Sequence, residues 1–228
     1  MVDIHSHVLP MVDDGSSSIE ESLKMIKECI DQGITDVIFT PHYRDKFNKT
    51  PQQLKDAFNE FKNIVLQNGL KINLYLGQEI FYTKDYKHNI VNGEVLTLNQ
   101  TKYLLLEPDY MECEITEAVY ELTRLGYIPI IAHVERFPYI TIQDVIEIKE
   151  LGGLIQVNAG AIFCKDFRID RKTVKKLFKM GLVDFVASDI HSNRENEMLK
   201  AYTYVKKKYG IDYADQVFTT NAQKIIQG

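Results

Sequence analysis

The chain has 228 residues, 45% hydrophobic and 26% charged, with 12 Gly and 6 Pro, a balance that excludes disorder, collagen and low-complexity sequence and fits a single domain over residues 1–228. Lys and Arg total 27 against 32 Asp and Glu, a net charge of −5, so nothing draws the chain to nucleic acid or to an acidic membrane surface. Cys29, Cys113 and Cys164 are odd in number and lack CxxC spacing; with no secretory signal in the opening MVDIHSH and no apolar run near the ~18 residues of a membrane span, the chain reads as soluble and cytoplasmic, without membrane insertion.

In chain order, short apolar runs alternate with longer amphipathic stretches, the rhythm of βα units on a parallel sheet. The runs are Val2–His5, Thr35–Thr40, Ile72–Gly77, Tyr103–Glu107, Ile128–Ala132, Leu154–Asn158 and Val183–Ala187, seven candidate strands. Between them, Ile19, Leu23, Ile26 and Ile30 recur at helical spacing, as do Leu54, Ala57, Phe58, Phe61 and Val65. Thr50-Pro51-Gln52-Gln53 reads as a capping box with Pro in the first turn, and Ser18 with Glu21 as a second box. Gly33, Gly69, Gly126, Gly152 and Gly181 each precede a predicted strand, where a left-handed residue ends a helix. A last helix is expected over Glu195–Tyr209, and Gln216–Thr219 is the only, weak, candidate for an eighth strand.

Six of the seven runs carry a potential metal ligand at or just beyond their last apolar residue: His5 with His7, His42, Glu79, Glu107, His133, and Asp189 with His191. In a parallel barrel all strand ends open on one face, so these residues would converge. Alternation along the first strand aims His5 and His7 inward and sends Val2 and Ile4 to the other face. Any one histidine is explained equally well by a hydrogen-bonding role; the set together is explained by metal, because adjacent buried carboxylates need neutralising. Asp14, in the loop after the first strand, adds a carboxylate, while Asp13 reads as part of a helix-preceding turn.

Arg136 follows His133 by three residues and Arg194 follows His191 by three. Arginine forks beside a metal cluster make sense where a phosphate binds. Arg44, two residues after His42, reads equally well as a surface ion-pair partner, His88 as an exposed polar residue, and Lys206–Lys208 as the solvated end of a helix. Tyr43, Tyr82, Tyr110 and Tyr139 fall near the expected mouth, where packing explains them as well as substrate binding.

Together, His5-Ser6-His7, Asp13-Asp14-Gly15, Thr40-Pro41-His42, Gly77-Gln78-Glu79, Leu106-Glu107, Ala132-His133-Val134-Glu135-Arg136 and Ser188-Asp189-Ile190-His191 resemble the polymerase-and-histidinol-phosphatase (PHP) superfamily. Their order and spacing are most similar to the manganese-dependent bacterial tyrosine-protein phosphatases of capsule and exopolysaccharide clusters. The resemblance implies an α/β fold, a distorted seven-stranded (β/α)7 TIM-like barrel, holding three divalent metal ions, manganese foremost and iron or zinc as alternatives. It implies that His5, His7, Glu79 and Asp189 bind the first ion, Glu79, Glu107 and His133 the second, and Asp14, His42 and His191 the third, with Arg136 and Arg194 on the phosphate. Three divalent ions against four carboxylates leave a positive centre that suits a phosphate dianion. The implied substrate is a phosphotyrosine protein, in particular a bacterial tyrosine kinase that regulates polysaccharide synthesis. Val134, where relatives often have Pro, and the segment Pro108–Glu114 depart from the pattern, which bears on specificity.

A cysteine phosphatase would need Arg six residues after its nucleophile; those positions hold Thr35, Val119 and Asp170. Histidinol-phosphate phosphatase is the nearest rival reading. An amidohydrolase also uses HxH but commonly has Lys where this chain has Glu107, and a non-catalytic phosphotyrosine-binding module would not require the full ligand set.

Overall fold

A computed structural model describes residues 1–44, 46–111, 113–163 and 171–228; Cys164 and Asp170 lie outside them. The strands are β1 (Val2–Ser6), β2 (Asp36–Phe39), β3 (His42–Tyr43), β4 (Asn73–Leu76), β5 (Glu79–Phe81), β6 (Tyr103–Glu107), β7 (Ile128–Ile131), β8 (Leu154–Asn158) and β9 (Phe185–Ala187). The helices are α1 (Ile19–Asp31), α2 (Pro51–Gln67), α3 (Tyr86–Val91), α4 (Ile115–Arg124), α5 (Ile142–Glu150), α6 (Arg171–Lys179), α7 (Met198–Tyr209), α8 (Ile211–Asp215) and α9 (Asn221–Gln227). Among the described residues, no helix is long and apolar enough to cross a membrane.

Every strand pairing is parallel, in two sheets ordered β1-β2-β4 and β3-β5-β6-β7-β8-β9. The result is a curled parallel sheet, a half-barrel, with helices outside. All seven predicted runs contain a strand; β3 and β5 are additional. They arise because the chain kinks at Thr40-Pro41 and at Gly77-Gln78 and then resumes pairing, with the Glu79 N–H donating to the Pro41 carbonyl at 3.2 Å. At the far seam, the His7 N–H donates to the Ile190 carbonyl (3.1 Å) and the Asp189 N–H to the His5 carbonyl (2.9 Å), so the chain after β9 runs beside β1.

Helix signals translate directly. Thr50 and Gln53 form the reciprocal capping box. The Ser18 hydroxyl accepts the Glu21 N–H, but the Glu21 carboxylate turns to the backbone and hydroxyl of Ser17 rather than closing a box. The five predicted helix-ending glycines all have positive φ. The last long helix starts at Met198 rather than Glu195, and Gln216–Thr220 is a π-helical turn between α8 and α9, not a strand.

The outward faces of the strands pack on the helices in the larger core. A second cluster joins Val2, Ile4, Ile38, Leu105, Ile130, Phe185 and Ala187 with Leu98, Ala222 and Ile225. Those residues come from strands on both sides of the curl, so the cluster fills its concave side, and α9 closes it below. Val2 and Ile4 therefore do not take the face expected of them: the register of β1 shifts between Asp3 and Ser6, which breaks simple alternation and lets Ile4 and His5 both face inward.

Candidate metal centre

The polar floor of the curl begins where that apolar plug ends. Glu79, the first residue of β5, is fully buried and lies at the centre. Its Oε1 is 3.3 Å from His5 Nε2 and 2.8 Å from His133 Nε2; its Oε2 is 3.3 Å from His7 Nε2 and 2.7 Å from His42 Nδ1. Asp189 Oδ1 lies 3.6 Å from His5 Nε2, 3.5 Å from His7 Nε2 and 3.5 Å from His191 Nδ1. Glu107, at the end of β6, approaches His133 Nε2 at 3.9 Å. Asp14 stands at the rim, its side chain 53% exposed, 3.3 Å from His42 Nε2 and 3.8 Å from His191 Nε2.

All nine residues that the sequence singles out as ligands thus meet in one volume. Four trios bring their donor atoms within 4.8 Å of one another: His5, His7 and Asp189; His5, Glu79 and His133; His42, Glu79 and Glu107; His7, His42 and His191. The arginines arrive as well, Arg136 Nη2 at 2.9 Å and Arg194 Nη1 at 2.7 Å from Asp189 Oδ2. Arg44 is no surface ion-pair partner: its Nη2 is 2.6 Å from His42 Nε2 and its Nη1 3.8 Å from Glu107 Oε2. His88 is exposed on α3.

The backbone is strained where two of these side chains enter. His133 (φ 29°) and Asp189 (φ 48°) are non-glycine residues in the left-handed region, a conformation that costs on the order of 1–3 kcal/mol each and persists where the surroundings enforce it. Gly15 is required by contact: a Cβ there would stand 2.1 Å from the His7 carbonyl oxygen. That approach presses the Asp13-Asp14 loop onto β1.

Four residues that sequence reasoning passed over hold the cluster in place. Asp13, read as a turn residue, accepts His7 Nδ1 (2.7 Å) and the His42 N–H (3.0 Å) on Oδ2 and the Gly15 N–H on Oδ1. Gln156, wholly buried on β8, accepts the His133 N–H (2.8 Å) on Oε1 and lies 3.1 Å from His5 Nδ1. Its amide donates to Asn158 Oδ1 (2.7 Å), and Asn158 Nδ2 donates to Asp189 Oδ2 (2.8 Å). Because Gln156 presents its oxygen to the His133 amide, His5 Nδ1 carries a proton toward that oxygen, which leaves Nε2 as the nitrogen that faces Glu79. Glu135 accepts the Asn158 N–H at 3.1 Å from behind.

The charges are driven apart. Burial and the neighbouring Glu79 push the Glu107 carboxyl up to about 7. Burial would raise Glu79 too, but His5, His42 and His133 hold it well below the carboxylate range. Asp189 is likewise buried yet held well below that range by Arg136, His5, His191 and Arg194. Burial, reinforced by Arg136, lowers His133 to about 4. Burial and His7 lower His191 to about 3, so these two imidazoles are neutral donors at physiological pH. The buried Glu107 Oε2 has no hydrogen-bond donor, and Glu79 Oε2 meets only the imidazoles of His7 and His42. Buried carboxylate oxygens converging with neutral imidazoles are the donor set of a divalent-cation site.

Comparison with known proteins agrees with this chemistry. The profile of the family described as "Capsular polysaccharide synthesis, CpsB/CapC" matches residues 1–227. The CapC protein of Staphylococcus aureus is 38% identical over 198 residues, 84% of this chain and 77% of that one. The tyrosine-protein phosphatase CpsB of Streptococcus pneumoniae is 31% identical over 238 residues, 99% of this chain and 98% of that one. A chain from the crystal structures of Bacillus subtilis YwqE and S. pneumoniae CpsB, described as metal-dependent tyrosine phosphatases, superposes with a TM-score of 0.86 at 27% identity, covering 94% of this chain and 90% of that one.

Proposed function

The chain belongs to the CpsB/CapC family of capsular polysaccharide synthesis, and on that premise we propose that it is a metal-dependent protein-tyrosine phosphatase, a phosphoric monoester hydrolase with no cysteine nucleophile. The observation that carries the reading is Glu79, one buried carboxylate within 3.3 Å of four imidazoles, the arrangement of a residue that bridges cations. The ligand sets are those the resemblance implies: His5, His7, Glu79 and Asp189 for a first ion, Glu79, Glu107 and His133 for a second, Asp14, His42 and His191 for a third, with manganese as the expected metal. The scaffold reading is seven strand positions in a single domain, with β2 and β3 as one interrupted position and β4 and β5 as another.

Bound divalent ions would supply Lewis acidity, polarising the phosphoryl group and making water a nucleophile near neutral pH. The protein's own residues then do the following. Gln156 holds the His5 ring through Nδ1 and the His133 backbone through its N–H, both Nε2 atoms lying toward Glu79, and Asp13 holds the His7 ring through Nδ1. Arg136 and Arg194, which share Asp189 Oδ2, are the donors poised for the equatorial phosphate oxygens, where charge develops during in-line transfer. The apolar plug beneath β1, β6 and β9 excludes water from below.

The proposed substrate is a phosphotyrosine protein in the cytoplasm, a tyrosine kinase that regulates capsule or exopolysaccharide synthesis. The test is phosphate release from a phosphotyrosine peptide, with histidinol phosphate in parallel, by chelator-stripped protein re-supplied with manganese. Manganese-dependent turnover with the peptide preferred is the expected result; preference for histidinol phosphate would overturn the substrate.

A further inference from the structure

Arg136 and Arg194 both reach the site from the Asp189 side. The rim at β3 carries a further arginine and an aromatic ring. Immediately beyond β3 the Arg44 N–H donates to the Phe47 carbonyl (3.2 Å) and the Phe47 N–H to the Arg44 carbonyl (2.6 Å), which fixes the two side chains as neighbours. The Arg44 guanidinium spans the mouth: Nη2 is 2.6 Å from His42 Nε2 and 4.0 Å from Asp14 Oδ2, and Nη1 is 3.8 Å from Glu107 Oε2. The Phe47 ring lies 6.0 Å from the His42 ring at 17° to its plane. Beside Glu107 stands Tyr110, its hydroxyl 3.5 Å from Glu107 Oε1 and its ring 5.6 Å from Phe137.

An arginine can only donate, so its contact makes His42 Nε2 an acceptor and uses the one lone pair a cation would take there. Guanidinium and cation at that nitrogen exclude each other. Filling the site therefore frees Arg44 while leaving a third guanidinium beside added positive charge, a position that an anion bound between them stabilises. The aromatic side chains next to it favour an anion that carries a ring, since an alkyl phosphate would leave their apolar surface wet. We infer that Arg44 and Phe47 form an aryl-phosphate recognition element, Arg44 binding a phosphate oxygen from the β3 rim and Phe47 flanking the aromatic ring; the inference rests on the phosphatase reading for its substrate.

The experiment measures manganese affinity and then inorganic phosphate affinity by calorimetry on the manganese-loaded protein. Arg44→Gln is expected to weaken phosphate binding about ten- to a hundredfold, the scale of one charged hydrogen bond, while manganese binds as well as in the wild type or better. Arg44→Lys, which keeps the charge but loses the fork, should fall between and serves if the Gln variant does not fold. Phe47→Ala should leave phosphate affinity unchanged but raise KM for a phosphotyrosine peptide relative to a phosphoserine peptide. Unchanged phosphate affinity in both Arg44 variants, or manganese affinity falling in step with phosphate affinity, would overturn the role of Arg44; an unchanged peptide preference in Phe47→Ala would overturn that of Phe47. Phosphate binding is read without turnover, so a wild-type protein that binds phosphate through Arg44 yet leaves the peptide intact would sink the phosphatase reading and uphold the contact.

Discussion

Replacing Gln156 by Leu tests whether the neutral amides of β8 govern the metal centre. The side chain is fully buried and serves two donors, the His133 N–H at 2.8 Å and His5 Nδ1 at 3.1 Å. Leucine fills nearly the same volume, so no cavity contributes, but both donors lose their acceptor at about 1–3 kcal/mol each. The chelated protein should therefore lose about 3 kcal/mol of stability in urea unfolding, after allowance for the transfer of an apolar side chain. His5 would also be released from the tautomer that turns Nε2 inward, so manganese affinity measured by calorimetry should fall about 10–100-fold, the usual effect of removing a partner of a ligating histidine. Gln156→Glu keeps an acceptor oxygen and should lose less affinity than the leucine variant. If Gln156→Leu binds manganese as tightly as the wild type, with the His5 ring-nitrogen NMR shifts unmoved, the amide network does not set the tautomer and the reasoning fails.

Other outcomes follow from the same geometry. Gly15→Ala would place its methyl 2.1 Å from the His7 carbonyl oxygen; the loop must move, so a loss on the order of 1–3 kcal/mol in thermal or urea unfolding is expected, with weaker manganese binding because Asp13 and Asp14 move with it. Glu135 is buried and its carboxyl is pushed up to about 7 by that burial. The native state therefore keeps a proton that the unfolded chain sheds near 4.5, and stability falls as pH rises from the lower value to the higher. Glu135→Gln removes that dependence: in chelator, its advantage over the wild type in urea should grow across this window to about 3 kcal/mol, and a pH-independent difference would refute it. Iodoacetamide should leave activity intact where Cys29 and Cys113 are concerned, since Cys29 is fully buried with its thiol pushed well above the usual range by that burial; alkylation-linked inactivation traced to either residue would count against a metal mechanism.

Strand ends were legible because each ligand follows an apolar run and all pairings are parallel, which makes position in sequence a proxy for position at the mouth. The nine ligand candidates meet for that reason. What holds them was not legible. Gln156 and Asn158 sit in the one run that offers no metal ligand, and a neutral amide within Leu154–Asn158 reads as core. Asp13 looks like any turn aspartate until Gly15 lets its loop close onto His7. Strands β3 and β5 are two and three residues long, too short for a period to show, and follow a proline and a glycine that read as the end of pairing. The inward turn of Ile4 beside His5 depends on a register shift in β1, which pattern alone cannot reveal.

The same geometry explains how so many carboxylates can share a buried floor before any cation binds. Asp189 takes both Arg136 and Arg194, and Glu79 takes four imidazoles; Glu107, left with Arg44 at 3.8 Å, is the carboxyl whose affinity for its proton is raised. A cation at His42 Nε2 must displace Arg44, and one at Glu107 must displace its proton, so the groups released are an arginine and a proton. An arginine released at the rim is a group a phosphate requires. Metal loading and substrate binding are coupled through that exchange, and the coupling has a measurable sign: inorganic phosphate should raise manganese affinity, and by linkage manganese should raise phosphate affinity by the same factor. Phosphate that leaves manganese affinity unchanged would separate the arginines from the metal centre and dissolve the argument.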